Sequence, residues 1–251
     1  MTPDEGIAAC AGLVQRGDPG RFRAVMAAPV DLRRMLFPLY AFNLEVARAP
    51  WLTQEPMIAE MRLQWWRDAL AEIAGGGPVR RHEVVTPLAA TLDAQGTRDL
   101  DDLVDARRAD IDGPRFDTQA DLVRYLDRTS GTLLWTAARL AGAGDEPAAR
   151  DAGLAQGIAN WLVAARELTA KGRHPLPPGD AAAQVRELAE TGLSALGRFR
   201  QARMPRDARP VLLVLSDTRP LLEAFARRPG EVPRLNPLRS YLRLAWAAAR
   251  R

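Results

Sequence analysis

Hydrophobic positions recur at helical spacing over most of the chain, and the clearest stripe lies in its first third. This stripe begins near Glu55-Pro56, and Gly75-Gly76-Gly77-Pro78 interrupts it. Its apolar positions alternate at spacings of four and three residues: Ala59, Leu63, Trp66, Leu70 and Ile73. Such a stripe is typical of a helix that packs on one side. The pattern therefore predicts a helix between these two boundaries.

Caps and helix breakers predict further helices on both sides of this one. Asp18-Pro19 combines a capping residue with a first-turn proline, and Pro29-Val30-Asp31 opens a helix that runs through Tyr40. Apolar spacing predicts one long helix over residues 117–143 and another over residues 149–170.

The last third of the chain also predicts helices. Beyond Asp180 the apolar positions are mostly Ala and Leu, which suits two or three more helices. The apolar run 211–215 has the composition of a buried strand, but no second strand is available to pair with it, so we predict helix there. Residues 237–251 form a basic amphipathic helix whose apolar positions are Leu238, Tyr241, Leu242 and Trp246. We expect this apolar face to pack on the core, with an anionic membrane or a partner protein as the alternative surface.

Composition agrees with a helical globular protein. The 251 residues are 47% hydrophobic and 26% charged, and no long linker or internal repeat divides them. Ala, Leu, Arg and Glu, which are frequent here, lose little rotamer freedom in a helix. We therefore expect an all-α fold in a single domain that spans residues 1–251.

Charge and cysteine content narrow the range of partners. The single Cys10 excludes an internal disulfide and a Cys-rich metal site, and it favours a reducing compartment such as the cytoplasm. The net charge of +4 is spread along the chain without a recognisable nucleic-acid-binding motif, so we expect no nucleic-acid partner. The first five residues contain acids and no apolar signal core, and no apolar stretch approaches the ~20 residues that span a bilayer. We expect a soluble or at most peripheral protein.

The only conspicuous acidic motif follows the tryptophan-containing helix. Asp101, Asp102 and Asp105 are spaced as DDxxD, and carboxylates at this spacing can share a helix face and bind Mg²⁺. We interpret them instead as the acidic first turn of a helix, with Arg107 and Arg108 as ion-pair partners. His82 and His174 lie in or beside predicted loops without a nucleophile in a recognisable setting, so we expect both to be solvated loop residues.

Three stretches together resemble the squalene/phytoene synthase family, which comprises head-to-head prenyl transferases of the isoprenoid synthase fold. The stretches are Arg21-Phe22 followed by Pro29, Arg33 and residues 36–42; residues 63–70; and residues 153–160 leading to residues 172–177. Ser130-Gly131 resembles the small-residue turn of the family. The resemblance implies a helical bundle with a central cavity, and it implies that Tyr40, Asn43, Tyr125 and Asn160 line that cavity.

The resemblance also implies where the catalytic metal ligands should be. Enzymes of this family ionise an allylic diphosphate with Mg²⁺ held by two aspartate-rich motifs on facing helices. The residues at the first motif are Ala47, Arg48 and Trp51, and those at the second are Ala164, Glu167 and Leu168. Glu167 is the one carboxylate among the six, and we interpret it as a solvated helix residue. We therefore expect no catalytic residues, no bound metal and no cofactor.

Three functions remain open at this point. The leading hypothesis is a non-catalytic member that resembles the branch acting in assembly of respiratory complex I, which implies a protein partner. Residues 40–45, 62–67 and 155–158 resemble that branch most. One alternative is an active Mg²⁺-dependent prenyl transferase with displaced ligands at Asp101, Asp102 and Asp105, either alone or together with Glu167. A protein that binds an isoprenoid or lipid without reaction is the other. We expect a cytoplasmic protein with peripheral contact at the inner face of the membrane.

Overall fold

The computed structural model describes residues 3–111, 113 and 115–250, and the regular structure within these residues is entirely helical. The first six α-helices of this part of the chain are α1 (Pro3–Gly17), α2 (Pro19–Met26), α3 (Val30–Arg48), α4 (Pro56–Ala74), α5 (Val85–Ala89) and α6 (Ala94–Ala106). The other six are α7 (Gln119–Leu126), α8 (Thr132–Leu140), α9 (Glu146–Ala170), α10 (Ala181–Phe199), α11 (Thr218–Arg227) and α12 (Pro237–Ala249). The predicted all-α fold is confirmed.

Short 3-10 or π-helical segments connect some of these α-helices. The 3-10 segments are Ala49–Trp51, Arg107–Asp110 and Arg206–Leu215, and Asp127–Gly131 is π-helical. The prediction of helix rather than strand over residues 211–215 is confirmed. The segment is 3-10 rather than α-helical, and Pro210 inside it lacks the N–H that an α-helical hydrogen bond requires.

The helix boundaries predicted in the first third of the chain are confirmed. The Asp18 carboxylate caps α2 by accepting the backbone N–H of Arg21 at 2.8 Å, and Pro19 is the first residue of that helix. Glu55 precedes α4, which ends just before Gly75. All five residues of the predicted apolar stripe of α4 are buried. The period of the stripe therefore identified the packed face of α4 correctly.

The single long helix predicted over residues 117–143 is wrong in its centre. The chain runs as α7, then the π-helical segment Asp127–Gly131, then α8. The π segment lies so close to α9 that a Cβ on Gly153 would lie 2.8 Å from the Gly131 Cα, and a Cβ on Gly157 would lie 2.7 Å from the Ser130 Cβ. Ser130-Gly131 is thus part of a widened helix packed on two glycines rather than a turn.

The predicted position of the acidic motif within its helix is also wrong. Helix α6 begins at Ala94, and the Asp93 carboxylate caps it by accepting the backbone N–H of Gly96 at 2.8 Å. Asp101, Asp102 and Asp105 consequently lie in the second half of α6, away from the positive end of the helix dipole. The cap at Asp93 starts the helix two turns earlier than the acidic residues suggested.

Two hydrophobic clusters hold the helices together. The first contains buried residues of α1 to α6 and α8 and of the 3-10 segment Arg206–Leu215. The second is built by α7, α9, α10 and α11. Helix α9 joins them, because Ala149 and Ala152 belong to the first cluster and Leu154 and Ile158 to the second.

The terminal helix does not pack as predicted. Leu244 is the one residue of α12 that is buried. The four apolar residues expected to face the core are exposed instead: Leu238, Tyr241, Leu242 and Trp246. Helix α12 contacts the 3-10 segment Arg206–Leu215 through its other side. Within residues 3–111, 113 and 115–250, no helix is both long and apolar enough to cross a membrane.

Candidate functional site

The end of α3 carries the positions at which the resemblance placed the first aspartate motif. Ala47 is half-buried, and Arg48 is exposed and pairs with the Glu45 carboxylate at 3.2 Å. Trp51 lies in the following 3-10 segment, where the Arg173 guanidinium stacks over its ring with Cζ 5.1 Å from the ring centroid. None of these side chains offers an oxygen ligand to a cation.

The second motif position lies in the last turns of α9. Ala164 and Leu168 are half-buried. Glu167 is exposed, and the Lys171 ammonium donates a hydrogen bond to its Oε1 at 2.7 Å. This hydrogen bond and the charge of Lys171 hold the pKa of Glu167 below its usual value. The single carboxylate is thus neutralised by a neighbour one turn away.

The contact between Trp51 and Arg173 brings the two motif segments together. Arg173 follows α9 directly, so the stack joins the segment after α3 to the segment after α9. In the described part of the chain, no group of three or more His, Cys, Asp or Glu side chains is arranged to hold a metal ion. An indole and a guanidinium occupy the junction of the two segments, and neither binds Mg²⁺.

The DDxxD residues are engaged by arginines. Asp101 accepts two hydrogen bonds from the Arg67 guanidinium of α4, at 2.7 and 2.8 Å. Asp105 pairs with Arg108 at 3.3 Å and with Arg128 at 3.0 Å, and Asp102 is exposed. Arg108 is therefore a partner of this acidic run as predicted. Positive charges on three separate elements already compensate Asp101 and Asp105, which opposes cation binding there.

Arg107, predicted to pair with the same acidic run, belongs to a buried network instead. The Tyr125 hydroxyl donates to Asp110 at 2.8 Å and accepts from Arg107 at 2.7 Å. Burial raises the pKa of Asp110, although the positive charge of Arg107 opposes that effect. Burial likewise raises the pKa of Tyr125. Phe116 and Trp161 pack around the Tyr125 ring, so this predicted cavity residue lies inside the second hydrophobic cluster.

Tyr40 and Asn43 lie in the interior around α3. The Tyr40 ring is fully buried beneath the Arg21 guanidinium, whose Cζ lies 4.7 Å from the ring centroid. Burial raises the pKa of Tyr40 to about 12. Asn43 is also buried. Tyr40 and Tyr125 belong to different hydrophobic clusters, so the structure does not bring these two predicted residues together.

Asn160, the fourth predicted cavity residue, does line a cavity of about 620 Å³. Helices α2, α9, α11 and α12 contribute to its wall. Arg21 lies on the wall with its Nε buried and without a hydrogen-bond partner among the described residues. Gln156 also lies on the wall and donates from Nε2 to the backbone oxygen of Val214 at 3.0 Å. The wall of the cavity therefore mixes charged, polar and apolar side chains, and Arg21 links it to Tyr40.

Sequence reasoning missed Gln156 and Asp217 as wall residues of this cavity. An available signal for Gln156 was a polar side chain within the otherwise apolar or small-residue run 152–159 of α9. Asp217 carried no such signal, because it reaches the cavity only through the packing of α11 against α9 and α10.

A second concave surface lies between the end of α3 and the start of α4. This groove has a volume of about 490 Å³, and its lining includes Trp65, Trp66 and His82. The expectation that His82 is a solvated loop residue is wrong, because its ring is half-buried with its centroid 5.1 Å from that of Trp65. Its Nδ1 accepts the backbone N–H of Val84 at 3.1 Å. Burial lowers the pKa of His82, whereas His174 is exposed as expected.

Fold, site and sequence together define the class of protein. The family model described as Squalene/phytoene synthase matches residues 14–196, so the chain belongs to the squalene/phytoene synthase family. The same segment includes α3, α9 and all six residues that the resemblance assigned to the two motifs.

Curated relatives narrow the comparison to one branch of the family. The chain is 32% identical over 182 residues to a Drosophila melanogaster protein named NADH dehydrogenase (ubiquinone) complex I, assembly factor 6 homolog, covering 68% of this chain and 53% of the fly protein. It is 28% identical over 159 residues to assembly factor 6 of Homo sapiens, covering 62% of this chain and 48% of the human protein. The chain thus spans about half the length of the curated relatives it matches.

Solved structures agree on the fold. A dehydrosqualene synthase crystallised with a ligand superposes with a TM-score of 0.81 at 15% identity, covering 99% of this chain and 97% of the synthase. The squalene synthase HpnC from Alicyclobacillus acidocaldarius gives a TM-score of 0.73 at 16% identity, covering 89% and 94% of the two chains. At these identities the similarity is one of fold.

Proposed function

We propose that this protein is a non-catalytic member of the family that assists assembly of respiratory complex I through a protein partner. The observation that carries this proposal is the chemistry of the two motif segments. They contain one carboxylate among six positions, and it is exposed and paired with Lys171. Ionisation of an allylic diphosphate needs a cation to neutralise the leaving group, and these side chains cannot hold one.

The names of the relatives support the proposed role in complex I assembly. The fly and human proteins that match most of this chain carry the name of a complex I assembly factor. A shared fold alone does not transfer function, so the assembly role has to be tested directly.

Deletion of the gene in its own organism tests the assembly role. We expect lower amounts of assembled complex I and lower NADH–ubiquinone oxidoreductase activity, with other respiratory complexes unchanged. Reintroduction of the wild-type gene and of the Asp101→Ala/Asp105→Ala variant should both restore complex I, because the proposal gives these carboxylates no catalytic role. Unchanged complex I after deletion would contradict the proposal.

A turnover assay separates this proposal from the alternative of an active prenyl transferase. We expect the purified protein to release no diphosphate from farnesyl or geranylgeranyl diphosphate with Mg²⁺ present. Magnesium-dependent release that disappears in Asp101→Ala and Asp105→Ala would establish the transferase instead. Native mass spectrometry in the same preparation would reveal a co-purified isoprenoid or lipid, the expected result if the protein only binds such a ligand in the cavity lined by Asn160.

We also propose a cytoplasmic location with peripheral contact at the inner face of the membrane. A single buried Cys10 without a disulfide partner and the exposed basic helix α12 support this location. Fractionation of cells into soluble and membrane material tests it, with salt extraction distinguishing peripheral attachment from tighter association.

A further inference from the structure

Helix α12 has two faces of different character. Its inner face carries Leu244 together with the half-buried Ser240 and Ala247. At 3.6 residues per turn, a continuous apolar stripe occupies the opposite side. The residues of this stripe are Leu238, Tyr241, Leu242, Ala245, Trp246 and Ala249, and we call it the outer face of α12.

The outer face is unusually exposed for its composition. Leu238, Tyr241, Leu242 and Trp246 are 66%, 65%, 56% and 59% exposed. Single exposed apolar residues are common on protein surfaces. A contiguous exposed apolar stripe with two aromatic residues instead indicates a surface that binds a membrane or another molecule. Trp and Tyr are the side chains that favour the boundary between lipid and water.

The positive charges around the outer face favour binding to a negatively charged surface. No acidic residue follows Glu231 in the sequence, whereas five arginines do. Arg239 and Arg250 border the stripe beside Trp246, and the Arg250 guanidinium stacks over the Trp246 ring at 3.7 Å. Arg239 makes no ion pair with the described residues. Within the described part of the chain, Asp217, the residue before α11, forms an ion pair with Arg243 only.

We propose that the outer face of α12 lies on the surface of an anionic lipid bilayer, an inference that rests on the peripheral membrane contact proposed above and specifies its surface. The apolar stripe enters the interfacial region while the arginines on its border contact lipid phosphates, as in a helix that lies parallel to the membrane. The inner face meanwhile stays on the protein. Ser240 and Leu244 of the inner face and Tyr241 at the edge of the outer face lie on the wall of the 620 Å³ cavity. The bilayer surface therefore lies beside that cavity.

Sedimentation of the purified full chain with lipid vesicles tests this inference. We expect binding to vesicles of equal parts phosphatidylcholine and phosphatidylglycerol, much weaker binding to phosphatidylcholine alone, and loss of binding as salt rises. Equal binding to both vesicle types would overturn the requirement for anionic lipid, and absence of binding to either would overturn the inference. The result is independent of complex I, so it can fail while the proposed assembly role survives.

Paired variants locate the binding surface. Leu242→Asp/Trp246→Asp should weaken binding to anionic vesicles by more than about tenfold, because it places two charges in the apolar stripe. Met57→Asp/Met61→Asp is the matched control, since these side chains are 76% and 64% exposed at the start of α4. The control should bind as the wild type does. All four positions are exposed, and circular dichroism checks that both variants remain folded.

Charge reversal tests the basic border. Arg239→Glu/Arg250→Glu should weaken binding to anionic vesicles by about tenfold or more and should reduce its salt dependence. Unchanged binding in this variant, or equal losses in the Met57/Met61 control, would overturn the assignment to α12. A dimer seen by light scattering that Leu242→Asp/Trp246→Asp dissolves, without vesicle binding by the wild type, would assign the outer face to a second copy instead.

Discussion

Helices α4 and α12 present the same pattern in sequence and opposite environments in the structure. Each has apolar residues at helical spacing with charged residues between them. In α4 the whole stripe is buried in the protein, and Trp66 packs edge-on against Phe42. In α12 the stripe faces solvent, and Leu244, on the other side, enters the core. An apolar period therefore identifies which residues share a face, but not what covers that face.

The two helices also differ in how they are held. Helix α4 packs on α6 and on the 3-10 segment Ala49–Trp51, within the first hydrophobic cluster. Helix α12 rests on the 3-10 segment Arg206–Leu215 through Leu244, and an ion pair joins Arg243 to Asp217. We therefore expect α4 to unfold with the protein and α12 to detach on its own.

The largest expected difference concerns Leu63 and Leu242. Leu63 is fully buried, so Leu63→Ala should lower the free energy of unfolding by about 2–5 kcal/mol through lost apolar contacts and a residual cavity. Leu242→Ala, at an exposed position, should change it by less than about 0.5 kcal/mol. Urea denaturation of the two variants measures both values. Similar losses in the two would show that the outer face of α12 is covered in solution.

A smaller and local effect is expected at Leu244. Leu244→Ala removes the buried contact of α12, so amide hydrogen exchange should accelerate in residues 237–249. The urea midpoint of the remaining protein should change little. Mass spectrometry of exchanged peptides makes the measurement, with Leu238→Ala as an exposed control on the same helix. Equal acceleration in α4 peptides would show that α12 unfolds together with the core.

Two ion pairs of similar exposure, one on α4 and one on α12, should differ less in their contribution to stability. Arg67–Asp101 and Arg243–Asp217 are both about one-third exposed, so solvent screens each of them. Arg67→Gln should lower the free energy of unfolding by about 0.5–1 kcal/mol, because the pair is bidentate and joins α4 to α6. Arg243→Gln should leave that value within error and accelerate exchange only in α12. The same measurements in high salt should narrow the difference between Arg67→Gln and the wild type.

The smallest expected effect is a pH dependence at His82, beside Trp65 of α4. Burial lowers the pKa of His82 from its ordinary value of 6.5, with Arg80 adding to the effect and Glu83 and Glu45 opposing it. The unfolded chain therefore binds a proton at higher pH than the folded protein does. Stability should fall as pH decreases through 6.5 and stop falling below the pKa of the folded state.

A substitution isolates this contribution. His82→Asn should reduce the loss of thermal stability between about pH 8 and about pH 5. His174→Asn, at an exposed position, is the control and should leave the loss unchanged. An identical pH profile for His82→Asn and the wild type would contradict the assignment.

Local signals in the sequence predicted the start of helices well where a cap and a proline occur together, as at Asp18-Pro19. They gave the wrong start for α6, because its capping residue Asp93 lies well before Asp101 and Asp102, which were predicted to form the first turn of the helix. They also failed at the π-helical segment Asp127–Gly131, because its widening depends on the approach of Gly153 and Gly157 from α9. A contact between distant segments does not alter the hydrophobic spacing within either segment, so it cannot be predicted from that spacing.

The candidate site was predicted in part. The resemblance assigned six residues to two motif segments, and Glu167 is the one carboxylate among them. The sequence could not show which polar groups share a cavity, because Asn160 of α9 and Arg21 of α2 reach the same cavity only through the tertiary fold. Tyr125, which the resemblance assigned to the cavity, belongs instead to a buried hydrogen-bond network with Asp110 and Arg107.

The sequence by itself determined the helical class, the family and the residues that share the apolar face of α4 and of α12, and it shows one carboxylate among the six residues that the resemblance assigns to the two motifs. These properties depend on residue type and on spacing within one segment. Only the tertiary structure decided which faces are covered, which arginines engage Asp101 and Asp105, and that the outer face of α12 is exposed. Burial and ion pairing require contacts between segments that are far apart in the chain. These contacts form only when the whole protein folds, so the sequence of one segment does not determine them.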